Sequence, residues 1–83
     1  MTQFDKAIAR LPQRPKDFTW DEAVRVMEGR GFKLHKSSGS RRKFYHEEKD
    51  ILVSLHEPHP GKILKRYQLD KIIEALDNSG ESS

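Results

Sequence analysis

The sequence contains no cysteine, only four prolines, and few aromatic residues, which make up 8% of its 83 positions. Without cysteine, neither a disulfide framework nor a thiolate zinc site can stiffen the chain. Hydrophobic residues amount to 34%, and no apolar run approaches the roughly 18 residues of a membrane helix. Residues 1–10 include Asp5 and Lys6 and lack the apolar centre of a signal peptide, so an intracellular soluble domain is expected. Glycine-rich phosphate loops and nucleophile elbows are missing as well. A chain of this length makes one domain and buries only about 60% of the surface that it exposes when unfolded. What the sequence does have is charge: 16 Lys plus Arg against 13 Asp plus Glu, a formal net charge of +3. An excess that small says little until its placement along the chain is known.

Hydrophobic periodicity divides the chain. Phe4, Ile8 and Leu11 fit one face of a short helix, which Pro12 ends; an extended connector through Pro15 follows. The Pro12–Pro15 spacing also matches a polyproline ligand, for which a plain linker is the simpler account. Thr19 and Glu22 form a capping-box pattern with Phe18 before it. Trp20, Ala23, Val24 and Met27 then recur on one helical face, and Gly29 and Gly31 supply the stop, with Gly31 the better left-handed position. From residue 32 the period becomes two. Strands are expected around Phe32 and Leu34, around Phe44, and around Ile51, Val53 and Leu55, joined by a Ser-Ser-Gly-Ser loop and a tight turn at residues 48–50. Leu69, Ile72, Ile73 and Leu76 mark a last helix, and the polar end from Asp77 is expected to fray. The outcome is an α+β, two-layer α-β-β-β-α domain: a three-stranded antiparallel sheet with two helices on one face. The expected division is residues 1–17 as short helix and connector, 18–77 as the domain, and 78–83 as a flexible tail.

The same alternation specifies what the uncovered sheet face carries. It should display Lys33, His35, Arg41, Lys43, Tyr45, Ser54 and His56, with Leu52 the one apolar member. Residues 29–46 hold six Lys or Arg and no acid, and Lys62, Lys65 and Arg66 form a second basic group before the last helix. Such a face suits phosphate binding, because Lys and Arg neutralise backbone charge and release counterions. Tyr45 is placed to stack on an unpaired base. A solvated face with ordinary surface charge is the competing account.

RNA cleavage by its own 2′-hydroxyl needs no metal and no protein nucleophile. It needs a base, an acid and positive charge at the phosphoryl oxygens. Histidine titrates near neutrality and suits the proton transfers. Four are present: His35, His46, His56 and His59. His46 falls on the core side near a strand end, where a satisfied, partly buried imidazole is the simpler reading. His35 reads as surface. His56 and His59 flank Pro58 at a strand exit, and Pro58 precludes the regular helix on which i, i+4 metal pairs are built, so no metal site and no cofactor is expected.

Three segments carry a family likeness: residues 24–32, a helix closed by Gly31-Phe32; Gly39-Ser40 leading into the strand of Phe44; and His59-Pro60-Gly61-Lys62 running through Leu64-Lys65 to Leu69. In this order and spacing the chain resembles the HicA toxins of bacterial type II toxin–antitoxin systems. These are small RNA-cleaving proteins of double-stranded-RNA-binding-like fold. The resemblance implies mRNA as target, a bacterial cytoplasmic setting, and a HicB-like antitoxin that covers the RNA-binding surface. It also implies a catalytic histidine after Gly-Ser, where this chain has Arg41. Arginine stays protonated and cannot act as a base, although it can hold phosphate. Proton transfer would therefore pass to His59 or His56, with Tyr45 a weaker candidate. The RNA-binding set is expected to be Lys33, Lys36, Ser40, Arg41, Arg42, Lys43, Tyr45, Lys62, Lys65 and Arg66. A non-catalytic RNA-binding module and a protein-interaction domain are the alternatives.

Overall fold

Two threonines begin the first two α-helices in the same way. Thr2 caps α1 (Gln3–Arg10) and Thr19 caps α2 (Trp20–Gly29), each accepting from the backbone N–H three residues on while an acidic side chain returns the bond. A cap of this kind contributes about 1 kcal/mol. The computed structural model describes residues 2–37, 39, 41–58 and 61–80. Pro12 cannot continue α1, which ends at Arg10; residues Leu11–Gln13 make a 3-10 turn, not the extended connector expected from the sequence. Arg14 then takes a left-handed conformation and its guanidinium bonds Asp70.

The three strands β1 (Phe32–Lys36), β2 (Arg41–His46) and β3 (Ile51–His56) form one antiparallel sheet in the order β1-β2-β3. The last helix, α3, spans Arg66–Asn78. Helices α2 and α3 pack on the same face of the sheet, α2 against β1 and α3 against β3. The architecture is thus the α+β arrangement that the periodicity predicts.

Phe18, Ala23, Val26, Met27, Phe32, Phe44, Leu69 and Ile72 are almost fully buried between the two layers. Ala7 and Leu11 join the same core, so the N-terminal segment contributes to it and is more than an edge appendage. Gly29 is the last residue of α2; a Cβ there would lie 2.4 Å from the Phe4 ring, so glycine lets α1 close on α2. Gly31 takes the left-handed turn, with φ 94°. Of the end expected to fray, Asp77 and Asn78 continue α3, and the buried Ser79 hydroxyl donates to the Leu76 carbonyl at 2.6 Å.

A short antiparallel pairing ties the approaches to α2 and α3 together. The Trp20 N–H donates to the Lys62 carbonyl at 2.8 Å, and the Leu64 N–H donates to Phe18 at 2.9 Å. The first contact satisfies one of the amide groups that every helix N-terminus leaves open. It also fixes Lys62, whose φ is 56°, beside the sheet's exit.

Candidate functional site

Strand register composes the sheet face turned away from the helices. Arg41 pairs with His56; His35, Lys43 and Ser54 form the next row; Lys33, Tyr45 and Leu52 form the third. All eight residues expected on the open face are therefore on it. Arg41, His35, Lys33, Ser54 and His56 are exposed, Lys43 and Tyr45 are half-buried, and Leu52 keeps 58% of its surface in solvent. Side chains directly opposed on antiparallel strands have Cβ atoms about 4.5–5.5 Å apart, so Arg41 and His56 stand as immediate neighbours on this face.

The other face separates two neighbours. Arg42 pairs in register with Leu55 and Lys36 and points toward the helices. Its side chain is 15% exposed and lies 3.3 Å from the Glu57 carboxylate, which is 14% exposed and also meets the Lys62 ammonium at 3.8 Å. Arg42 further donates to the carbonyls of Gly39 at 2.7 Å and Arg41 at 2.9 Å. One guanidinium thus links the β1–β2 turn to the β3 exit, and Glu57 in turn reaches Lys62 in the loop before α3. Beside it, the buried Gln68 donates to the His56 carbonyl at 2.9 Å and accepts from the Lys65 N–H at 2.9 Å. The backbone that carries Arg41 and His56 is therefore gripped from behind on both strands.

Tyr45 has its hydroxyl engaged as well. It donates to Asp50 at 2.9 Å, and that carboxylate holds the phenol pKa above its ordinary value of 10.0. A phenol so held is a poor proton donor or acceptor near neutrality, which leaves its ring as the useful part. At the same end, Lys33 lies 3.9 Å from Glu47.

The sequence-expected set is thus divided. Arg41, Lys43, Tyr45 and Lys33 share the open face with His56. Arg42 and Lys36 lie on the helix side of the register, so the three consecutive bases Arg41, Arg42 and Lys43 do not converge on one phosphate. Lys62, Lys65 and Arg66 are exposed before and at the start of α3. Ser40 and His59 lie outside the described residues. His46 is buried on the core side, accepts the Lys49 N–H at Nδ1 over 3.1 Å and stands edge-on to Phe32, as its strand register predicts. Among the described residues no group of three His, Asp or Glu is arranged to hold a metal, and no helix is long and apolar enough to cross a membrane.

Residues 20–77 match the family model of the HicA toxin of bacterial toxin–antitoxin systems. The chain belongs to the HicA toxin family. No curated protein and no solved structure gives a match. The matched segment begins with α2 and reaches all but the last residue of α3, so the sheet, its open face and the supporting pair Glu57 and Gln68 all lie within the HicA region. As a HicA family member the chain is the toxin of a toxin–antitoxin pair, and membership implies an antitoxin partner. Sequence reasoning gave neither Glu57 nor Gln68 a supporting role. Gln68 left a signal: it occupies the stripe of Ile72, Ala75 and Leu76, where a polar residue must have buried partners. Glu57 left none, because only the folded loop brings Lys62 to it.

Proposed function

We propose that this HicA-family toxin binds mRNA on the open sheet face and cleaves it without a metal, in the bacterial cytoplasm, until a HicB-like antitoxin covers that face. The observation that carries the reading is the direct pairing of Arg41 with His56 on that face. Where the family has a histidine after Gly-Ser, this chain has arginine. The imidazole sits one strand away instead, at the register partner of that position. His56 takes the proton of a ribose 2′-hydroxyl. The 2′-oxygen attacks the adjacent phosphorus, and the 5′-oxygen leaves as it gains a proton, giving a cyclic phosphate and a free 5′-hydroxyl. Arg41 and Lys43 hold the phosphoryl oxygens as charge develops on them. His59 is the candidate acid for the leaving oxygen. Lys33, Tyr45, Lys62, Lys65 and Arg66 extend the RNA contact beyond the reacting phosphate.

Induced expression should arrest growth and deplete transcripts, and the purified protein should cleave RNA in the presence of a chelator. His56→Ala should lower the cleavage rate by about 10²- to 10⁴-fold, the usual contribution of a positioned acid–base group. Normal cleavage by His56→Ala would overturn the assignment of the base. Arg41 itself favours a second reading, a HicA-family protein that binds RNA and does not cut it. Intact RNA after long incubation, with salt-sensitive binding, would select that reading. Absence of RNA binding at low salt would leave a protein-docking domain.

A further inference from the structure

The open face is electrically two-ended. One end carries Arg41 and Lys43 with His35 and His56. The other carries Tyr45 and Leu52 in register, with Lys33 beside them already facing Glu47 and with Asp50 on the tyrosine hydroxyl. From Arg41 to Tyr45 is four residues of extended strand, about 13 Å, enough for the two ends to engage different nucleotides. A phosphate is attracted to the first end. At the second it meets the Glu47 carboxylate, which already faces Lys33, and the Asp50 carboxylate, which accepts from the Tyr45 hydroxyl. The same end offers what a base needs: an aromatic ring, held by its hydroxyl, and an exposed leucine directly across the strand. An uncharged π-face gains from such a surface whatever the base.

We infer that the Tyr45–Leu52 end is a platform for one unpaired nucleobase and restricts the site to single-stranded RNA. The inference rests on the proposed RNA binding and adds to it a subsite and a substrate class. Bases in an A-form duplex are stacked on both sides, so neither face can reach the ring. The cationic end would accept phosphates of either form; the apolar end is what discriminates between them. The Tyr45–Asp50 hydrogen bond serves the platform by fixing the ring, so Tyr45 acts through its face and not through its hydroxyl.

The test uses the full chain and an uncleavable 2′-O-methyl oligonucleotide carrying 2-aminopurine, single-stranded or annealed to its complement. Tyr45→Leu keeps an apolar side chain and removes the ring; Tyr45→Phe keeps the ring. Thermal melting checks that both variants fold. Tyr45→Leu should weaken single-strand binding by about 5- to 150-fold, the range for loss of one stacked base. It should also relieve 2-aminopurine quenching and leave the salt slope unchanged. Tyr45→Phe should stay close to wild type, and the duplex should compete poorly. Unchanged affinity in Tyr45→Leu, or equal competition by the duplex, would overturn the platform while leaving RNA binding in place. Wild type that binds no RNA at low salt would overturn both readings. Loss of antitoxin binding by Leu52→Ala and Tyr45→Leu at unchanged RNA affinity would reassign the patch to protein contact and overturn the inference.

Discussion

Arg41 and Arg42 are adjacent in sequence, identical in chemistry and opposite in situation. Arg41 is exposed on the open face beside His56, whereas Arg42 is turned under the sheet, where Glu57 and two backbone carbonyls occupy its guanidinium. The same contrast runs through the whole strand. Phe44 and His46 face the helices with Arg42; Lys43 and Tyr45 face outward with Arg41. A basic run in a sequence is therefore two populations once it becomes a strand. Only the half on the open face presents its charge outward, and the other half supports that surface from beneath.

The largest break in this comparison comes from the core side. Phe44 is fully buried, tilted against Trp20 with ring centroids 5.6 Å apart. Phe44→Ala should cost about 3–5 kcal/mol, the transfer term plus the cavity left behind. In a small domain that is a large part of the total stability. Urea titration followed by tryptophan fluorescence measures it, because Trp20 reports on the same contact. A loss below about 1 kcal/mol would mean that the two layers are not packed as described.

Why this division was legible from sequence is a matter of period. Alternation by two assigns every residue of the three strands to a face without any knowledge of how the strands pair, so the eight outward residues and the buried His46 could be named in advance. The capping boxes and Gly31 were legible because they are local chemistry. The contacts of Glu57, Lys62 and Asp50 were not, since each depends on a loop conformation: Lys62 and Asp50 both adopt positive φ, which no pattern of hydrophobicity encodes for a non-glycine residue. Arg42 shows the boundary between the two kinds of knowledge. Its face followed from the period, but its ion pair required the fold, and charge counting alone placed it with the RNA-binding residues. The N-terminal segment went the same way. Leu11 lay on the expected helical face, but that it and Ala7 would be core was not evident; Gly29 admits the Phe4 ring against α2 and lets the segment close.

Arg42→Met should have an intermediate effect. The substitution keeps the stem's packing but removes one of the two cations that meet the 14%-exposed Glu57 among the described residues, and the side-chain donor of the Gly39 carbonyl. A loss of about 1–2 kcal/mol is expected, as for a charged hydrogen-bonding group deprived of a partner in a mostly buried place. Adding Glu57→Gln should recover part of it, because the stranded charge is then removed. A double-mutant cycle in urea measures the coupling, and strict additivity of the two substitutions would mean that the pair contributes nothing.

Arg41→Met should barely alter stability, within about 0.5 kcal/mol, as for most exposed substitutions. Its effect belongs to binding. If Arg41 neutralises one phosphate of a single strand, log–log plots of RNA affinity against salt should lose about 0.7 in slope. Arg42→Met should leave that slope unchanged, since its guanidinium already answers a carboxylate and faces away from the strand. The two variants carry the same chemical change at neighbouring positions, so each is the control for the other. Equal slopes in both would show that charge density, and not the face on which the charge stands, governs the interaction. A lowered slope in Arg41→Met alone would tie phosphate contact to the open face, next to the imidazole of His56.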